Sequence, residues 1–225
     1  MGIPVLILGE SGSGKSTSLR NFEQEEIGIF NVASKPLPFR KKLPTRNGAT
    51  YASITKDLSH PKGRTYAIDD SQALMAFALF NKAKETGYGK FTDIALDFYN
   101  LLQFIIQKTP SDCIVYFLHH TETSDTGKNS KAKTVGKMLD NQLTVEGLFS
   151  IVLLARTDGI RHYFETQSDG FTTAKSPMDM FPQREIDNDL KMVDSAIREY
   201  WGLNPAPQNK NTITETDNAK ENENA

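Results

Sequence analysis

An α/β fold, with a mainly parallel sheet and helices on both of its faces, is predicted by three observations on this 225-residue chain. Short apolar runs alternate with longer segments of helical period from residue 3 to residue 203, the pattern that strand–helix–strand units leave in a sequence. The run Gly9-Glu10-Ser11-Gly12-Ser13-Gly14-Lys15-Ser16 follows directly on the apolar Pro4–Leu8, so that a strand turns into a phosphate loop. Gly9, Asp69 and His119, the residues with most chemistry to offer, all fall at the carboxyl ends of predicted strands, where open parallel sheets bind nucleotides.

The first strand is Pro4–Leu8, and a helix is expected from Ser16 or Thr17 to about Phe22. A second strand covers residues 27–32. Three prolines (Pro36, Pro38, Pro44) and the basic residues Arg40, Lys41, Lys42 and Arg46 make 35–50 a loop. Thr65–Asp70 reads as a short strand ending in two carboxylates. Ser71 is placed to cap a helix that runs to about Lys84, with Leu74, Met75, Phe77 and Ala78 at near-helical spacing. Gly87 and Gly89 interrupt it. A further helix from Phe91 to about Lys108 carries Ile94, Leu96, Phe98, Leu101, Leu102, Ile105 and Ile106, and Pro110 ends it. Cys113–Leu118 is the strongest buried-strand signal and runs into His119-His120. Residues 121–137, polar and lysine-rich with Gly127 and Gly136, are expected to form a mobile loop. Residues 150–155 and 161–166 read as two strands joined at Asp158-Gly159, and Asp169-Gly170 as another turn. Asp189–Trp201 reads as an amphipathic helix with Leu190, Val193, Ile197 and Trp201 inward. Residues 1–203 are thus expected to form one domain. Residues 204–225 hold almost nothing apolar and are expected to be a disordered, acidic-leaning tail.

The composition narrows the function. A net charge of −2 excludes a bulk polycation, so any nucleic-acid contact has to come from local patches. The single cysteine, Cys113, excludes an intramolecular disulfide framework and points to a reduced, cytoplasmic compartment. No apolar stretch approaches the ~18 residues of a membrane helix, and the early first strand leaves no room for a signal peptide.

The phosphate loop specifies a physical device. Gly9, Gly12 and Gly14 let the backbone curl so that the N–H groups of residues 9–17, through Glu10, Ser11, Ser13 and Thr17, point inward at phosphate oxygens. Lys15 reaches the β- and γ-phosphates, the Ser16 hydroxyl is placed for Mg²⁺, and Glu10 braces the loop. Asp69 or Asp70 completes the metal site, with Asp69 assigned to Mg²⁺ and Asp70 to orienting the attacking water. His119 or His120, at the tip of the central strand, is a candidate to touch the γ-phosphate and report its presence to the following loop; His119 is carried forward as the candidate. Lys175 is a candidate cation for a neighbouring subunit's nucleotide, with Arg156 and Arg161 as competitors.

The order of these parts is recognisable. The phosphate loop is followed by Tyr-Ala-Ile-Asp-Asp-Ser, then by Ile-Val-Tyr-Phe-Leu-His-His, then by a Lys/Gly loop with Val135-Gly136-Lys137-Met138-Leu139, and finally by Thr-Ala-Lys-Ser. Over most of residues 3–203 the chain resembles the phage-encoded RecA-like ATP-binding proteins, small ATPases linked to single-strand annealing and recombination. The resemblance implies a RecA-type core, ATP and Mg²⁺, oligomers with nucleotide at subunit interfaces, single-stranded DNA as partner, and a recombination or single-strand-binding protein as a further one. It also implies the cytoplasm of a host cell. The chain departs from the pattern at one point. RecA-type ATPases place a water-activating glutamate just after the second strand, whereas this stretch reads Asn31-Val32-Ala33-Ser34-Lys35, with no acid. Either Asp70 takes that role or hydrolysis is slow.

The candidate DNA contacts are Lys128, Lys131, Lys133 and Lys137, in the loop after the central strand; a flexible lysine loop follows a phosphate backbone without reading sequence. Two rival readings are a nucleotide-gated assembly or annealing protein with little turnover, and a nucleoside or nucleotide kinase. The kinase reading needs an arginine-rich lid, and the arginines here are scattered.

Overall fold

The computed structural model describes residues 1–123, 130–135 and 144–203. Lys128, Lys137 and the tail from 204 onward therefore lie outside the described residues. The chain forms a nine-stranded, mostly parallel mixed sheet with helices on both faces.

Strands β1 (Ile3–Gly9), β2 (Gly28–Asn31), β3 (Thr45–Asn47), β4 (Thr65–Asp69), β5 (Ile114–Thr123) and β7 (Ile151–Thr157) run parallel in the order β3-β2-β4-β5-β1-β7. β8 (His162–Glu165) and β9 (Glu185–Asp187) extend the sheet antiparallel beyond β7, and β6 (Ser130–Ala132) folds back antiparallel on the end of β5. Apart from the exposed edge strand β3, the parallel strands carry near-continuous apolar runs because both faces are covered.

Period-2 alternation distributes them between two cores. Leu6 and Leu8 of β1 and Val115 and Phe117 of β5 pack under α1 (Tyr51–Leu58), α2 (Ser71–Asn81) and α3 (Gly89–Lys108), against Ile54, Met75, Phe98 and Ile105. Val5 and Ile7, with Tyr116 and Leu118, face the other way, onto Leu19, Phe22 and the stripe Leu190, Val193, Ile197 of α4 (Leu190–Tyr200). The side chain of Asp189 accepts from the N–H groups of Lys191 and Met192 and so caps α4, while Trp201, expected inward, is partly exposed just past its end.

Several expectations are corrected. The helix after the phosphate loop is a single 3-10 turn, Ser16–Leu19. Side chains compete for its carbonyl acceptors: Ser18 Oγ donates to the Lys15 carbonyl, and the Arg20 guanidinium donates to that of Thr17 at 3.2 Å. A turn this short adds little dipole. The loop 35–50 contains β3. α1 was not anticipated; its Thr50–Ser53 capping box is reciprocal, but only Ile54 and Leu58 are buried, too few to show a period. Ser71 is the first residue of α2, not its cap; the cap position is Asp70, in the left-handed conformation at φ 58°. The described part of 121–137 is an ordered hairpin rather than a mobile loop, with Thr121 opposite Ala132 and the Ala132 N–H donating to buried Glu146.

Among the described residues, no helix is long and apolar enough to cross a membrane.

Candidate nucleotide and metal site

Gly9 of β1 lies opposite His120 of β5, and Asn31 of β2 opposite Asp69 of β4, so these strand ends share one edge of the sheet. The phosphate loop curls over that edge. Gly12 and Gly14 take φ of 82° and 93°, a region costly for other residues. Gly9 is pressed between Ser13 and Ala155; a Cβ there would stand 2.8 Å from the Ala155 carbonyl oxygen. Glycine at 9 therefore answers a need for close approach, and at 12 and 14 a need for the left-handed region.

Lys15 is buried and folds back on its own loop, its Nζ donating to the carbonyls of Gly9 and Glu10, each at 2.8 Å. Burial lowers its pKa to about 8, against the pull of Asp70 and Asp69. Ser16 Oγ donates to Asp69 Oδ1 at 2.8 Å across 53 residues of sequence. Burial raises the Asp69 pKa, and the Ser16 hydrogen bond opposes it. A serine hydroxyl beside one buried carboxylate is the hard-oxygen donor set that Mg²⁺ takes from protein, the remaining positions going to water and phosphate oxygens. Among the described residues there is no cluster of three or more His, Cys, Asp or Glu for an all-protein metal cage. Within the loop, Ser13 Oγ is buried with no protein partner, in keeping with a cradle shaped for an acceptor-rich ligand. Glu10, Ser11 and Gly12 are exposed, with Ser16 and Thr17 half-buried beside them.

Asp70 sits between Lys35 and His120. Its Oδ2 accepts from Lys35 Nζ at 2.7 Å and its Oδ1 from His120 Nε2 at 3.2 Å. The His120 hydrogen bond, then Lys35, hold this carboxylate far below the usual acid range. An ionised carboxylate held this low can accept a hydrogen bond but is a poor proton acceptor.

His119, the candidate for the γ-phosphate, faces away from the loop. It continues the α-helical side of β5, fully buried edge-on to Phe98. Its Nε2 donates to the Lys133 carbonyl at 2.8 Å, which can only accept, so Nδ1 is the bare nitrogen and Ser71 Oγ donates to it at 3.0 Å. Burial lowers the His119 pKa to about 4 from its ordinary 6.5. The unfolded chain therefore binds this proton more readily than the folded one. The stability contribution is complete above pH 6.5 and is lost as pH falls toward 4, by roughly 3 kcal/mol. Thermal melts between pH 4 and 7 are expected to show that slope, and His119→Gln to flatten it; equal slopes would reject the buried neutral imidazole. His120, one residue on, is the histidine that reaches the loop edge.

Lys175 is not at this edge. Its backbone pairs with Val152 in both directions at 2.8 Å, and Val152 lies opposite Leu6, three residues before the loop. Arg156 pairs with Glu165, and Arg161 with Asp158 and Glu185. Of the lysine candidates for DNA, Lys131 pairs with Glu122 at 2.9 Å, while Lys133 is exposed and its backbone is tied to both histidines, its N–H donating to the His120 carbonyl.

Sequence reasoning missed three residues at the site. In the sequence Lys35 is only the end of an acid-free stretch, with nothing local to tie it to Asp70. His162 and Asn188 stand over Gly14, within 3.0 and 3.2 Å of where a Cβ would be. They come from β8 and from the turn after β9, and no spacing connects them to the loop. No protein-family model and no curated protein matches the chain.

Proposed function

We propose that the chain is a Mg²⁺-dependent, ATP-binding and ATP-hydrolysing protein with a RecA-like core, acting on single-stranded DNA in recombination or annealing as an oligomer. The observation that carries the reading is the Ser16–Asp69 hydrogen bond at 2.8 Å, beside a glycine-rich loop whose lysine lies within it. Two residues far apart in sequence and suited to one Mg²⁺ meet where the loop turns off β1. The mostly parallel sheet, with loop, carboxylates and His120 on one edge, supports the RecA-like assignment.

In that reading the loop amides and Lys15 hold the triphosphate, and Ser16 and Asp69 hold the metal. Lys15 leaves the carbonyls of Gly9 and Glu10 for phosphate oxygens. Asp70 orients the attacking water. DNA enters through the resemblance and through the lysines of the β5–β6 hairpin, which is joined to the site by the Lys133 contacts of His119 and His120.

A second reading, an ATP-gated assembly protein with little turnover, is favoured by one observation: Lys35 occupies the segment where a water-activating glutamate is expected, and it neutralises Asp70. The test is the ATPase rate with and without single-stranded DNA, alongside oligomer size with ATP, ADP and no nucleotide. Stimulation by DNA is the expected result. Nucleotide-dependent assembly without turnover selects the second reading, and failure to bind ATP with Mg²⁺ ends both.

A further inference from the structure

We propose that Lys35 is the γ-phosphate selector of this site: it gives up its ion pair with Asp70 to grip the terminal phosphate of a nucleoside triphosphate, and so separates triphosphate from diphosphate. The inference rests on the nucleotide-binding reading above and adds to it a residue that neither the phosphate loop nor the resemblance supplies.

The backbone that carries Lys35 is held in place. Asn31, at the end of β2 and buried, donates from Nδ2 to the Lys35 carbonyl at 2.6 Å and to Asn47 Oδ1 at 3.0 Å. Ser34 takes the left-handed conformation at φ 55°, turning the chain back toward the carboxyl end of β4. The head, by contrast, is free to change partner. The Lys35 side chain is 68% exposed, and its contact with Asp70 is a single ammonium–carboxylate pair on a four-carbon stem. A fixed anchor with a mobile charge suits a group that trades one anion for another.

The charges around it favour the trade. Lys15 and Lys35 face Asp69 and Asp70, and all four act on Lys15 or one another at this edge. The cluster is thus neutral with two cations and two anions before a phosphate arrives. A γ-phosphate brings negative charge next to two carboxylates, and Lys15 is shared with the β-phosphate. Lys35 is the further ammonium at the edge that is not committed to the loop. Asp70 keeps a hydrogen-bond partner when Lys35 leaves, because His120 stays on its other oxygen at 3.2 Å. A diphosphate, ending short of Asp70, gives Lys35 no reason to move.

The experiment is titration calorimetry of ATP and ADP, with Mg²⁺, against the full chain, Lys35→Met and Lys35→Arg. Methionine keeps the stem and removes the charge; arginine restores charge. A charge-assisted contact predicts that Lys35→Met weakens ATP by roughly 10- to 100-fold while ADP changes by less than about twofold, with Lys35→Arg recovering most of the ATP affinity. Equal weakening of both nucleotides would mean that Lys35 only shapes the site, and unchanged ATP affinity would mean that it does not reach the phosphate; either overturns the proposal and leaves the nucleotide reading standing. If the parent chain binds neither nucleotide, the nucleotide reading fails and this proposal falls with it. Melting each variant beforehand separates a folding defect from a binding one. Should Lys35→Met melt early, Lys35→Gln serves as the neutral variant.

Discussion

Asp69→Asn is expected to lower ATP turnover roughly 1,000-fold while leaving the melting temperature at or above that of the parent chain. The two effects part because the carboxylate is kept at a cost. Asp69 is buried and burial raises its pKa, so the folded chain holds a charge that its surroundings disfavour. Asparagine preserves the shape and an oxygen to accept from Ser16 Oγ, so the bridge between the loop and β4 survives. What disappears is the negative charge that draws a divalent cation to the Ser16 hydroxyl. Steady-state phosphate release and a thermal melt on the same preparation decide it. Full turnover would remove Asp69 from the metal site, and a collapsed melt would make it a structural residue.

Arg198→Met is expected to destabilise the chain by about 3–5 kcal/mol. Arg198 and Asp194, one helical turn apart on α4, are buried, with side chains 5% and 4% exposed and Nε to Oδ2 at 2.6 Å. Arg198 also donates to the carbonyls of Asp112 and Arg64 and to Thr65 Oγ1, tying α4 to the amino ends of β4 and β5. Asp194 accepts in turn from Thr65 Oγ1 and the buried Tyr116 hydroxyl. Removing the guanidinium leaves the buried carboxylate without its counter-charge and takes a donor from the carbonyls of Asp112 and Arg64. The double change Arg198→Met, Asp194→Leu removes both charges and is expected to recover much of the loss. Urea unfolding of the parent chain, the single variants Arg198→Met and Asp194→Leu and the double variant supplies the cycle, and an Arg198→Met loss under about 1 kcal/mol would show that water reaches the pair.

The elements that the sequence made legible are those with strong local signals. β1, β5 and β7 are unbroken apolar runs, and α3 repeats Ile94, Phe98, Leu101, Leu102 and Ile105 on one face. α1, β3, β6 and β9 escaped notice because each is short and buries at most two side chains, so its conformation is imposed by neighbours rather than by its own pattern. The 3-10 turn after the loop was misread as a helix for the converse reason: its sequence permits a helix, but the Ser18 hydroxyl and the Arg20 guanidinium take the carbonyls of Lys15 and Thr17.

The sequence by itself determined the phosphate loop, the two carboxylates at the carboxyl end of β4 and the histidine pair that follows the apolar run of β5, because strand, turn and side-chain identity are all local. Successive strand residues point to opposite faces, so one histidine of the pair had to meet the loop side and the other the helical side. Only the packing of the 3-10 turn and α4 on the Val5–Ile7 face decided that it is His120, with Asp69 on the same side. The tertiary structure also brought Lys35 to Asp70 across 35 residues and Asn188 to Gly14 across the sheet. Such contacts depend on how the chain returns after a crossover, and no local spacing encodes that return.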